Sequence, residues 1–204
     1  MIFSYILTVF LLFTFPEIQE FTQEDLCTQV KTKGKSFSGE IITLKLSEME
    51  LFTQEFSPLE EAIIETYLKK DTSFKISQDE TAELAYYHYG FIEDEGYCLL
   101  LVYEYFVSSH SENKLFLLAF NASEELESVL KVAELTYKLD EKFEESSVFS
   151  NDYFRSEIIK KEKIQDDGGS NNYNETTILN SYHIEDFRFT KLLSSDTTSV
   201  IVTN

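Results

Sequence analysis

The sequence lacks the residue patterns that most hydrolases and metalloproteins need. Its three histidines, His88, His110 and His183, are far apart in the chain, so no pair has the spacing of a metal site. It contains no Gly-x-Ser-x-Gly nucleophile elbow and no phosphate-binding glycine loop. Asp166-Asp167-Gly168-Gly169 lacks the alternating ligands and distal glutamate of a calcium loop. We therefore predict no catalytic, metal-binding or cofactor-binding residue and a protein without enzyme activity.

Basic residues are also scarce. The chain has 17 Lys and Arg against 37 Asp and Glu, which gives a formal net charge of −20 at pH 7. Nucleic acids and anionic membrane surfaces are polyanions, so this charge disfavours both as partners. It would instead attract basic partners or loosely held cations, although most charge runs are simply solvated surface.

No basic side chain precedes Lys31, and Ile2–Phe15 is an apolar run interrupted only by Ser and Thr. The run has fourteen residues, whereas about 20 apolar residues are needed to span a bilayer. Its length is therefore typical of the apolar part of a signal peptide. We predict a signal peptide over residues 1–20, with the cleavage position left open, and a single domain over residues 21–204. The mature protein is then secreted or luminal, without stable membrane association. A retained membrane anchor and a buried N-terminal strand are the alternatives.

The chain has only two cysteines, Cys27 and Cys98. An even number in an oxidising compartment predicts one disulfide between them. Closing a loop of about seventy residues would stabilise the fold by roughly 4 kcal/mol in the chain-entropy model. The alternative is two buried free thiols.

Two Asn-x-Ser/Thr triplets are candidate glycosylation sites, at Asn121 and Asn174. Asn174 lies in a polar stretch that we expect to be exposed. Asn121 precedes a predicted helix, so its side chain could cap that helix instead of carrying a glycan.

Alternation of apolar residues and enrichment in β-branched and aromatic side chains predict several strands. The strongest is Tyr97–Val107, the most hydrophobic stretch after the leader, and Lys114–Phe120 is expected to return as its hairpin partner across a polar loop at 108–113. Further strands are predicted from Ile42 to Leu46 and from His183 to Thr190.

Capping patterns and apolar spacing predict three helices. The first begins at Ser57-Pro58, the second runs from Ser77 to Tyr89 and stops at Gly90, and the third covers Leu126–Phe143. Residues 147–164 are ambiguous, and 165–177 is a flexible polar loop by composition. This mixed order predicts an α+β fold, a mainly antiparallel sheet with helices packed chiefly on one face.

These features favour a secreted acidic glycoprotein that binds a partner without catalysis, the partner being a protein or an apolar ligand. The aromatic side chains of Tyr97–Phe106 and Leu115–Phe120 could line a pocket for such a ligand, but aromatic residues at strand spacing more often form an ordinary core. One alternative is a secreted hydrolase whose active-site residues are dispersed in the sequence. Another is a luminal protein held by an uncleaved signal anchor.

Overall fold

A computed structural model describes residues 33–71, 74, 82–94, 97–121, 123, 125–138, 141–150, 153–164, 171–186 and 188–203. The predicted signal peptide, Cys27 and the predicted helix start at Ser77 lie outside these residues. For Cys98 the backbone alone is described. Within the described part of the chain no disulfide bond is present. No helix there has the length and apolar character needed to cross a membrane.

The described chain is dominated by eleven strands in one sheet. They are β1 Lys35–Phe37, β2 Ile42–Lys45, β3 Ser57–Pro58, β4 Glu83–Asp94, β5 Tyr97–Val107, β6 Ser111–Phe120, β7 Leu126–Lys138, β8 Glu141–Ser150, β9 Tyr153–Ile164, β10 Asn171–Glu185 and β11 Arg188–Thr203. Two α-helices of six residues each are described, α1 Glu48–Thr53 and α2 Glu61–Thr66, and a 3₁₀ turn follows at Leu68–Lys70.

From β4 to β11 each strand pairs antiparallel with the next strand in sequence. This meander follows from the short connections, because antiparallel neighbours can be joined by tight hairpins. The short strands are additions to it: β1 runs parallel to β4, β3 pairs with β4, and β2 pairs with β8.

Strands β7 and β8 pair along only part of their length. Only residues 134–138 of β7 pair with β8, through residues 141–145, and β2 pairs with residues 146–149 of β8 instead. The register of β6 and β7 also shifts at two places, which marks β-bulges that increase the local twist. As a result Phe154 of β9 and Ile184 of β10 pack into the same core as Leu117 of β6.

Strands β5 and β6 are buried on both faces. Leu101 and Leu117 belong to a first core, which β2 and the β8–β10 segment complete. Val102 and Leu118 point the other way into a second core, which includes Ile63 of α2 and Leu68 of the 3₁₀ turn. Burial on both faces explains why β5 reads as a continuous apolar run, and the predicted bounds Tyr97–Val107 are confirmed.

The predicted α+β class is wrong, because the described residues are mostly sheet and form no layer of helices on one face of it. In the described residues the predicted helix at Leu126–Phe143 is instead strand β7, up to Lys138, and the start of β8 from Glu141. The bulges explain the error. Pairing with β6 skips Glu127 and Val132, so residues three apart, Leu126 with Val129 and Leu130 with Ala133, lie on the same side of the strand.

The predicted helix from Ser77 to Tyr89 is also wrong in its described part, where β4 begins at Glu83 and continues through Gly90. Gly90 does not end a helix. It lies opposite Lys35 of β1, and a Cβ at this position would lie 2.3 Å from the Lys35 carbonyl oxygen and 2.7 Å from the Phe37 ring. Glycine is therefore required here for close approach of another strand.

Replacing Gly90 with alanine is expected to lower the free energy of unfolding by about 1–3 kcal/mol, the usual cost of overpacking. Denaturant unfolding of G90A against wild type measures this loss. The double variant G90A/F37A should not recover stability, because the closer contact is with backbone. Full recovery of stability in the double variant would show that the Phe37 ring, and not the β1 backbone, is the reason that glycine is required at position 90.

The remaining expectations are met in part. The strand at Ile42–Lys45 and the hairpin of β5 and β6 are present, although β6 already starts at Ser111 within the predicted loop. A helix follows Pro58, but Ser57-Pro58 is strand β3, and the helix begins at Glu61 without a side-chain cap. Helix α1, which Ser47 caps through a 3.2 Å contact to the Glu50 amide, was missed.

The ambiguous and loop segments are mostly strand. Of the ambiguous segment 147–164, residues 147–150 belong to β8 and residues 153–164 form β9, and β10 begins at Asn171, within the predicted loop 165–177. The other residues of that loop, 165–170, lie outside the described part. The predicted strand His183–Thr190 contains the turn between β10 and β11.

Candidate ligand-binding site

A cavity of about 740 Å³ lies between α1 and one face of the sheet. Its lining residues come from α1, from the segment that follows it, and from strands β4 to β7: Glu48, Leu51, Gln54, Phe56, Tyr87, Tyr103, Tyr105, Val107, Ser111, Asn113, Leu135 and Tyr137. The volume is within the range of sites for small organic molecules.

The sheet side of the cavity follows from strand alternation. Tyr103, Tyr105 and Val107 are two residues apart on β5, so they share one face. The register places Tyr87 of β4 opposite Tyr103 and Asn113 of β6 opposite Tyr105. Leu135 and Tyr137 of β7 continue the same face beside β6. Four neighbouring strands thus present one mostly aromatic surface.

The opposite side is formed by α1 and Phe56. The Phe56 ring lies 4.9 Å from that of Tyr103 and 6.2 Å from that of Tyr87, with interplanar angles of 42° and 49°. The Tyr87 and Tyr103 rings stack at 5.7 Å. Two phenols hold α1 over the sheet: Tyr137 donates to Glu48, and Tyr89 donates to Glu50 at 2.8 Å. Such aromatic contacts stabilise the walls beyond the area they bury.

The polar groups of the cavity form a short chain of hydrogen bonds. Tyr103 donates to Oδ1 of Asn113 at 2.6 Å, and Nδ2 of Asn113 donates to the Leu135 carbonyl at 3.1 Å. Burial raises the pKa of Tyr103, with the neighbouring Tyr105 and Tyr87 acting in the same direction. Burial and the hydrogen bond to Glu48 also raise the pKa of Tyr137. Both phenols therefore stay protonated at neutral pH.

A second cavity of about 480 Å³ lies beside an ionic cluster on β6, β7 and β8. Lys114 lies 2.6 Å from Glu112, and Lys131 contacts both Glu134 and, at 3.1 Å, Glu145. Each of these lysines is already paired with carboxylates, so the cluster is suited to holding strands together rather than to binding a ligand.

His88 is buried in β4 and contacts the carboxylate of Glu60 at 2.8 Å through Nε2. Its Nδ1 has no hydrogen-bond partner among the described residues, so protonation there would bury an unpaired donor. Burial lowers the pKa of His88 to about 4, and the ammonium of Lys33, which pairs with the same Glu60, acts in the same direction. His88 is thus uncharged at neutral pH and donates a hydrogen bond from Nε2 to Glu60.

This lowered pKa predicts a pH dependence of stability. An unfolded histidine takes up its proton near pH 6.5, whereas folded His88 does so near pH 4. Between these values the unfolded state binds more protons than the folded state. The contribution of His88 to the free energy of unfolding is therefore complete above pH 6.5 and is lost as the pH falls toward 4. The difference in unfolding free energy between wild type and His88→Gln should shrink by about 3 kcal/mol over this range. A difference that stays constant in urea titrations from pH 7 to 4 would contradict it.

A dispersed hydrolase would need a histidine within hydrogen-bonding reach of a serine and a carboxylate in a cleft, and His110 has both partners but lies outside the two cavities described above. Its Nδ1 lies 3.3 Å from the Ser109 hydroxyl, and its Nε2 lies 2.5 Å from the carboxylate of Glu112. Ser109 and His110 occupy the hairpin turn between β5 and β6, and neither lines one of the two cavities described here. His183 instead packs its ring 4.8 Å from that of Tyr153. No group of three or more His, Cys, Asp or Glu side chains among the described residues could hold a metal ion.

The two candidate glycosylation sites lie in different structural environments. Asn121 does not cap a helix: it lies in the turn between β6 and β7, where its Oδ1 accepts from the Ser123 and Glu125 amides. Its Nδ2 donates to Glu127 at 2.7 Å. Asn174, which we expected in an exposed loop, is half-buried in β10 between β9 and β11. Glycosylation at either asparagine stays a prediction.

The expected aromatic pocket is thus only partly where the sequence suggested it. Tyr103 and Tyr105 of Tyr97–Phe106 line the cavity, whereas no residue of Leu115–Phe120 does. Sequence reasoning missed Phe56, Tyr87 and helix α1. Alternation across Tyr87 and Tyr89 was the available signal, but it requires Glu83–Asp94 to be read as a strand. No family model, curated protein or solved structure matches this chain.

Proposed function

We propose that this protein is a secreted, non-catalytic binding protein that holds a small organic molecule in the cavity under α1. The observation that carries the proposal is the cavity itself, about 740 Å³ with aromatic and aliphatic walls and a few fixed polar groups. That combination is the usual composition of a small-molecule site, since apolar walls supply affinity and polar groups fix orientation.

Fluorescence of the neutral probe N-phenyl-1-naphthylamine tests this proposal. The probe should bind with enhanced emission, and Val107→Trp, which fills the cavity from its lining, should weaken binding at least tenfold. Leu193→Trp is the matched control, because Leu193 is an exposed leucine of β11. Equal binding by V107W and L193W, both folded by circular dichroism, would place the probe elsewhere and overturn the proposal.

Export is the second part of the proposal and rests on the apolar leader of the sequence. Expression with the native leader in a secreting cell should release a protein lacking about the first twenty residues, as a cleaved signal peptide does. N-terminal sequencing of the released product measures this. Recovery only in the membrane fraction, with Met1 retained, would favour the anchored alternative.

A further inference from the structure

The cavity under α1 differs from an ordinary apolar pocket in the charge of its lining residues. Of the described residues there, none is Lys, Arg or His, and Glu48 is the one carboxylate. Five of the twelve lining residues carry aromatic rings: Phe56, Tyr87, Tyr103, Tyr105 and Tyr137. We propose that the occupant is an organic cation, an ammonium with apolar substituents. This inference rests on the proposed function and names its ligand class.

The aromatic wall offers ring surface to a positive charge. Phe56, Tyr87 and Tyr103 pack against one another, with ring centroids 4.9–6.2 Å apart, and so form one continuous aromatic part of the lining. An aromatic face carries negative charge density and attracts an ammonium, more strongly when the cation is desolvated. The protein already uses this contact at the cavity edge, where the Lys142 ammonium lies 5.3 Å from the Tyr137 ring centroid.

Glu48 provides the counter-charge. Its side chain is exposed at the first turn of α1, and its carboxylate accepts a hydrogen bond from Tyr137. A carboxylate offers about four acceptor positions, so one phenol leaves it able to pair with a cation. Burying an unpaired charge is costly, and the adjacent carboxylate offsets that cost for a cation only.

The same features disfavour other ligands of similar size. An anionic ligand such as a fatty acid would meet Glu48 without any lining Lys or Arg to pair with. A neutral ligand would gain apolar contact but nothing from the carboxylate. The net charge of −20 adds a long-range attraction for cations that falls as salt increases.

A matched pair of competitors tests the inference. Phenyltrimethylammonium and tert-butylbenzene have nearly the same shape and differ in charge, and each is titrated against bound N-phenyl-1-naphthylamine. We expect the cation to displace the probe at a concentration at least tenfold lower than the neutral compound. Glu48→Gln should reduce this preference several-fold. Glu55→Gln should leave it unchanged, because Glu55 is an exposed acid that does not line the cavity although its sequence neighbours Gln54 and Phe56 do.

The outcomes separate this inference from the function on which it rests. Probe binding with equal or better displacement by tert-butylbenzene, or better displacement by decanoate, would overturn the cation and keep the binding function. An equal loss of preference in E48Q and E55Q would also overturn it, since general surface charge would then be the cause. No binding of the probe or of either competitor would overturn both.

Discussion

Replacing Phe154 with alanine is expected to reduce the free energy of unfolding by about 3–5 kcal/mol. Phe154 is fully buried in β9, with its ring 4.6 Å from Phe149 and 6.0 Å from Phe189. It belongs to the core that contains Leu117 of β6, so truncation leaves a cavity where the two parts of the sheet meet. Urea unfolding measures the loss.

Leu179→Ala is the control for this substitution, because Leu179 of β10 is half exposed and its truncation should change stability by no more than about 0.5 kcal/mol. Similar small effects of F154A and L179A would mean that β9 does not pack against the core of β4–β7.

Replacing Lys131 with methionine is expected to cause the second large loss of unfolding free energy. Lys131 pairs with Glu134 and, at 3.1 Å, with Glu145, and both carboxylates are nearly inaccessible to solvent. Burial alone would lower the pKa of Lys131, but the charges of Glu145 and Glu134 outweigh it and raise that pKa. Removing the ammonium leaves two buried carboxylates without a cation, so K131M should lose about 3–5 kcal/mol at pH 7.

The loss should shrink at lower pH. Burial raises the pKa of Glu145 even with Lys131 present, so the folded state takes up a proton before the unfolded state does. As the pH falls, Glu145 is therefore neutralised in the folded state before an ordinary glutamate would be, and the missing cation matters less. The control is Lys160→Met, which breaks a more exposed pair with Glu162 and should lose at most about 1 kcal/mol. Equal losses for K131M and K160M at pH 7 would contradict the account of the cluster.

The central hairpin could be predicted from the sequence because its signal is local. Tyr97–Val107 is apolar apart from Glu104, and both of its faces are buried, so its composition indicates a strand without further information. The alternation over Ile42–Lys45 was similarly clear, since one face is buried and the other exposed.

The strands β4 and β7 could not be predicted because tertiary features alter their patterns. Bulges at Glu127 and Val132 of β7 widen the spacing of same-side residues from two to three at these points, which resembles the spacing along one face of a helix. In β4 the register also shifts between His88 and Gly90, and the glycine needed against β1 resembles a helix stop. Both errors come from contacts with other strands, which a single sequence does not display.

The candidate site was predictable in composition but not in position. An aromatic strand containing Tyr103 and Tyr105 indicated a possible pocket wall, and alternation places both on one face. Glu48 and Phe56 reach the cavity only because α1 is held over the sheet by contacts from Tyr89 and Tyr137, which lie far along the chain. Such long-range contacts leave no local trace in the sequence.

The cavity exists only if Leu135 and Tyr137 lie on a strand beside β6, so the conformation of residues 126–150 is the central structural claim. Nuclear magnetic resonance measures it directly through backbone carbon shifts and contacts between Cα protons. We expect strand shifts on both sides of residues 139–140 and a cross-strand contact between Thr136 and Phe143, which are paired in register. Helical shifts through Leu126–Lys138 without that contact would contradict the sheet, the cavity and the function built on it.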